Sequence, residues 1–116
     1  MFLEGLKSLA NLTPDQRLKF HATMIGSISI FENNLNLFRS GVLPLDQITV
    51  YEHDVVSLLS SPGASMWWDF VKDHYFSASL KEHIDGILDS TRSNIPPLSD
   101  ALGLLLRLGE PSPEEA

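Results

Sequence analysis

Apolar side chains recur every three or four positions through most of this chain, which is the spacing of amphipathic helices. The longest such stretch begins at Pro14 and ends near Phe38. Its main apolar stripe consists of His21, Met24, Ile25, Ile28, Phe31, Leu35 and Phe38, and a second set consists of Phe20, Ile30 and Leu37. Because apolar residues cover so much of its circumference, we expect this helix to lie at the centre of a helical bundle.

Capping residues divide the chain into separate helices. Thr13 and Gln16 have the spacing of a capping box, in which each side chain bonds the other residue's backbone N–H. Gly41 fits the left-handed residue that closes a helix. Ser61 is placed to cap a new helix that begins at Pro62, and the proline prevents the preceding helix from running on.

These signals predict an all-α fold, a bundle of five to six helices with short connections. The predicted helices are Phe2 to Leu12, Pro14 to Phe38, about Pro44 to Ser60, Pro62 to His74, Phe76 to about Ser90, and Leu98 to Leu108. Either Ser77 or Ser79 fits the cap of the fifth helix. We expect residues 1–109 to form a single helical domain and the acidic, proline-rich residues 110–116 to be a disordered tail.

Charge and composition narrow the classes of partner. The formal net charge is −7, and residues 46–89 contain eight acids against Lys72 and Lys81. An acidic surface repels phosphate, so we expect no nucleic-acid partner and no binding to anionic membranes. The chain has no cysteine, which is compatible with a cytoplasmic location. Its longest run of large apolar residues, Leu104 to Leu106, is far too short for a transmembrane span.

Side chains that could carry chemistry do not occur in the spacings that chemistry requires. The four histidines lack the helical spacing of a metal site, and no nucleophile or phosphate-loop motif is present. The carboxylate pairs Asp69/Asp73 and Asp85/Asp89 are expected to form a solvated acidic face. We therefore predict no catalytic, cofactor-binding or metal-binding residue and no enzymatic activity, and we expect His21 to be partly buried and hydrogen-bonded.

Two segments stand out as candidates for function. Trp67 is expected in the core together with Phe70 and Val71, whereas Trp68 either joins the core or forms a partner surface, because neighbouring helical residues face different directions. Leucines surround the last predicted helix, and one bundle cannot cover them all. The candidate interface residues are Trp68, Leu98, Leu102, Leu105 and Leu106.

These features favour a non-enzymatic interaction module that self-associates as a homodimer. The alternative is a small-molecule-binding domain of the sensor or regulatory kind, with an aromatic-lined pocket formed by His21, Tyr51 and Trp67.

The chain also resembles a group of small, uncharacterised bacterial helical proteins. The shared pattern comprises Phe38 to Leu43, then Leu58-Leu59-Ser60-Ser61-Pro62-Gly63, then Met66-Trp67-Trp68, then Phe76-Ser77 leading into Ile84 and Leu88. Members of the group often have a transmembrane helix ahead of this region, where this chain has only Phe2 to Leu12. The resemblance supports the predicted helix boundaries and implies no chemistry.

Overall fold

The computed structural model describes residues 1–91 and 94–109, and within these ranges the fold is all-α. Six α-helices are linked by short connections, and a short 3₁₀ helix, Leu9–Asn11, follows the first. The α-helices are α1 (Phe2–Lys7), α2 (Pro14–Arg39), α3 (Leu45–Leu59), α4 (Pro62–Tyr75), α5 (Ala78–Thr91) and α6 (Leu98–Arg107). The predicted fold class is confirmed, whereas the predicted tail 110–116 lies outside the described residues.

The ends of α2 form as the sequence predicts. The backbone N–H of Gln16 donates to Thr13 Oγ1 at 3.2 Å, and the N–H of Thr13 donates to Gln16 Oε1 at 3.0 Å. At the other end Gly41 has a φ of 81°, a conformation that costs glycine little, and the next N–H, that of Val42, bonds back to the Leu37 carbonyl at 2.9 Å. Both boundaries are therefore set by local contacts.

α2 borders the core instead of lying enclosed within it. One stripe of the helix is buried: Phe20, Met24, Ile28, Phe31 and Leu35. Ile30 and Leu37, which were expected to widen the buried surface, are exposed. The prediction of a central helix is wrong in this respect, because the other five α-helices supply neighbours on one side of α2 only.

The first predicted helix is divided at Ser8. The backbone of Ser8 is extended, and its hydroxyl accepts the N–H of Ala10 at 3.3 Å to start the 3₁₀ turn. This break allows both Leu6 and Leu12 to be buried in the core. A continuous helix from Phe2 would place these two residues on different sides, since six residues amount to about one and two-thirds turns.

α1 and α4 cross with their backbones in contact at Gly5 and Gly63. A Cβ atom added to Gly63 would lie 1.7 Å from the carbonyl oxygen of Gly5. A Cβ atom on Gly5 would lie 2.6 Å from the ring of Phe20 on α2. Only glycine fits at either position, so this crossing fixes where α4 begins relative to α1.

Ser61 caps a helix other than its own. No side-chain bond from Ser61 to the start of α4 forms; instead its fully buried hydroxyl accepts the N–H of Ser99, in the first turn of α6, at 2.9 Å. Ser57 donates to the Pro96 carbonyl at 2.9 Å and holds the preceding connection. Of the two serines that could cap α5, Ser77 forms the capping bond: its hydroxyl accepts the N–H of Leu80 at 3.2 Å.

Candidate functional site

Both tryptophans are buried, and each indole N–H has an acceptor on another helix. Trp67 is 4% exposed and donates to Nδ1 of His21 on α2 at 2.9 Å. Trp68 is 2% exposed and donates to Oδ1 of Asp85 on α5 at 2.9 Å. A buried indole needs such a partner. The expectation that His21 is partly buried and hydrogen-bonded is confirmed.

Trp68 is therefore not a surface residue, and its assignment as a candidate interface residue is wrong. The buried side of α4 is formed by Ala64, Trp67, Trp68 and Val71, at spacings of three, one and three residues. Phe70, expected in the core beside Trp67, is 72% exposed and faces outward with Met66. Because these outward-facing residues are also apolar, the sequence pattern did not show which side of α4 is buried.

Lysines of α4 and α5 pair with carboxylates on the same helix and on the other helix. Lys72 Nζ lies 3.5 Å from Asp69 Oδ1 and 3.5 Å from Asp85 Oδ2. Lys81 bonds Asp73, and this contact holds the pKa of the Asp73 carboxyl below its usual range and raises the pKa of the Lys81 ammonium. The expected solvated acidic face is thus wrong for Asp85, which is two-thirds buried and takes part in the α4–α5 contact.

An open groove of about 570 Å³ lies between the start of α2 and the outer side of α4. His21 and Trp67 both line it, so two of the three predicted pocket residues are adjacent. The third, Tyr51, lies elsewhere, in a shallow hollow beside Ile30 on the α2–α3 side. Tyr51 is separated from the groove because α3 packs along a different part of α2.

The groove contains residues that the sequence reading did not select. Tyr75 closes one side, with its ring centre 5.4 Å from that of His21 in an edge-on arrangement. Arg17 lies one helical turn before His21. The spacing of four residues between Arg17 and His21 could have indicated from the sequence that both lie on the same side of α2. The apolar lining consists of Leu9, Pro14, Leu18, Phe20 and Phe70.

The α6 leucines are divided between the core and the surface. Leu98 and Leu102, two of the predicted interface residues, are half-buried and pack against the core. Four others are exposed, with exposed fractions from 59% to 81%: Leu104, Leu105, Leu106 and Leu108. Helical geometry places Leu104, Leu105 and Leu108 on one side, which we call the leucine face, and Leu106 on the side of Ser99.

One further contact between titratable side chains joins α3 and α5. Glu52 on α3 and His83 on α5 approach to 3.8 Å between Oε1 and Nε2. No three His, Cys, Asp or Glu residues within 1–91 and 94–109 come close enough to hold a metal ion. In the same ranges, no helix has both the length and the apolar character needed to cross a bilayer.

Comparisons with known proteins found no match: no family model, curated protein or solved structure is significantly similar to this chain.

Proposed function

We propose that this protein is a non-enzymatic helical interaction module that pairs with a second copy of itself through α6. The observation that carries the proposal is the leucine face, where Leu104, Leu105 and Leu108 are each more than half exposed on a helix whose other side packs on the core. Contiguous exposed apolar surface of this kind is typical of a protein-binding site.

The charges that flank the leucine face favour a second copy as the partner. Asp100 lies in the first turn of α6 and Arg107 in the last, seven residues apart and therefore on one side of the helix. When two α6 helices pair antiparallel about a two-fold axis near Leu104, each Asp100 lies opposite the Arg107 of the other copy. An interface of this type is self-complementary, as two-fold symmetry requires.

The size of the interface sets its expected strength. α6 has 10 residues, which corresponds to about 15 Å of helix, so a pair of these helices buries less than the roughly 1,600 Å² of a standard interface. We therefore expect a reversible homodimer with a dissociation constant in the micromolar range.

Sedimentation of charge variants tests the pairing. Asp100→Arg alone and Arg107→Asp alone place like charges opposite each other, so each is expected to weaken the dimer. The double variant restores opposite charges and is expected to recover most of the affinity. Val50→Glu, at an exposed apolar residue of α3, is the control and is expected to leave the dimer intact. A wild-type chain that remains a monomer throughout the micromolar range would contradict the proposal.

A second candidate function, the binding of a small molecule, is favoured by the groove. Its volume of about 570 Å³ lies within the range of about 300–1,000 Å³ that is usual for ligand pockets. It lies on α2 and α4, away from α6, so this function does not depend on dimer formation.

A further inference from the structure

We infer that the groove binds small aromatic carboxylates, an inference that rests on the second candidate function and names its ligand class. The argument begins with the lining. Five of the lining residues are apolar, and Leu18 and Phe70 are largely exposed there, so a bound ring would cover apolar surface that water now contacts.

Aromatic side chains make the groove suitable for a flat ligand. Trp67, Phe70 and Tyr75 come from α4, and His21 comes from α2. The indole of Trp67 and the ring of Tyr75 both pack against the imidazole of His21, with ring centres 6.0 Å and 5.4 Å away. Fixed aromatic rings favour offset or edge-on contact with another aromatic ring.

The charged residues of the lining favour a ligand with a negative charge. Among the described residues, Arg17 is the only arginine or lysine in the lining, and no carboxylate lines the groove. This is unusual for a chain whose formal net charge is −7. A guanidinium at the rim of an apolar groove attracts a carboxylate and disfavours an ammonium.

The hydrogen bond to Trp67 adds a donor to the groove. Because Nδ1 of His21 accepts the indole N–H, a neutral imidazole carries its own proton on Nε2. His21 therefore contributes an N–H that Trp67 does not use. Arg17, His21 and the Tyr75 hydroxyl together supply donors and no obligatory acceptor, which matches the oxygens of a carboxylate.

Titration with 2-naphthoate, followed by the indole N–H signals in NMR spectra, tests the inference. The chain has two tryptophans. Trp67 lines the groove and is expected to shift in a saturable way, whereas Trp68, which is bonded to Asp85 and does not line the groove, is expected to shift less. The uncharged 2-naphthamide is the matched ligand, and we expect it to bind about threefold to fivefold more weakly, the usual effect of one exposed ion pair.

Arg17→Gln supplies the second arm of the experiment. This variant is expected to lower the affinity for 2-naphthoate to that of 2-naphthamide and to leave the affinity for 2-naphthamide unchanged. Lys19→Gln removes the same charge from a residue outside the lining and is expected to change neither affinity.

The outcomes distinguish a wrong ligand class from a groove that binds no small molecule. Equal affinity for both compounds, or no effect of Arg17→Gln, overturns the carboxylate assignment while leaving a small-molecule site in place. No shift of Trp67 with either compound overturns both. A Trp67 signal that moves with protein concentration alone would show that a second copy occupies the groove, and would also overturn the inference.

Discussion

α4 and α6 are both rich in large apolar residues, but α4 buries both of its tryptophans, whereas α6 exposes three of its five leucines. On α4 the stripe of Ala64, Trp67, Trp68 and Val71 faces inward, and the backbone at Gly63 contacts α1 directly. On α6 the inward residues are Leu98 and Leu102, whereas Leu104, Leu105 and Leu108 of the leucine face are each more than half exposed.

The difference shows that burial depends on neighbours and polar partners more than on residue type. The two indole N–H groups would be costly to bury alone, but His21 and Asp85 accept them, so α4 can lie between α2 and α5. The leucines of α6 have no polar group to satisfy, yet within residues 1–91 and 94–109 α1 and α3 pack against only one side of α6.

The largest expected effect comes from the glycine contact beneath α4. Gly63→Ala places a methyl group against the Gly5 carbonyl, so α1 or α4 must move, and we expect the free energy of unfolding to fall by at least ~2 kcal/mol. Gly26→Ala is the control, because a Cβ atom there meets nothing within 4 Å and alanine favours the helix by up to about 1 kcal/mol. Urea unfolding measures both. Equal behaviour of the two variants would mean that the α1–α4 crossing is wrong.

A smaller effect distinguishes a buried apolar side chain of α4 from an exposed one of α6. Trp68→Phe removes part of a buried ring system and takes the indole donor away from Asp85 Oδ1, so we expect a loss of ~2 kcal/mol in unfolding free energy. Leu108→Ala, measured at a concentration where the chain is monomeric, is expected to change stability by less than about 0.5 kcal/mol. The comparison between α4 and α6 fails if Leu108→Ala proves as costly as Trp68→Phe.

The smallest effect concerns the outer edge of α4, where Asp73 bonds Lys81. The pKa of Asp73 is lowered in the folded chain, chiefly by this hydrogen bond, so its contribution to stability is present above the unfolded pKa and is lost as pH falls through the lower folded pKa. Asp73→Asn is expected to be slightly less stable than wild type at neutral pH and equal to it in strong acid. Denaturant midpoints at both pH values measure this. A difference that persists or grows in acid would contradict the ion pair.

Local signals in the sequence were sufficient to predict the helices but not the contacts between them. The capping box at Thr13 and the glycine at position 41 act within a few residues, and both form as predicted. Ser61 was assigned to its own helix because nothing near it in the sequence indicates Ser99, 38 positions away. Such long-range partners depend on packing that a linear pattern does not contain.

The candidate site was predictable to a similar extent. His21 and Trp67 were selected from their places on apolar stripes, and they lie together in the groove. Tyr51 was selected on the same basis, but helical spacing alone does not reveal which part of α2 each helix covers. Asp85 was read as solvated because its partner, the Trp68 indole, lies on a different helix.

The most direct test of pairing through α6 uses the absence of cysteine from this chain. Leu104→Cys places one thiol next to the proposed two-fold axis, where Cα atoms of the two copies come within disulfide range. On mild oxidation at micromolar concentration we expect rapid formation of a covalent dimer, which non-reducing electrophoresis detects. Ser29→Cys, at an exposed residue of α2, is expected to stay largely monomeric under the same conditions. Equal rates of cross-linking at the two positions would contradict the proposed dimer.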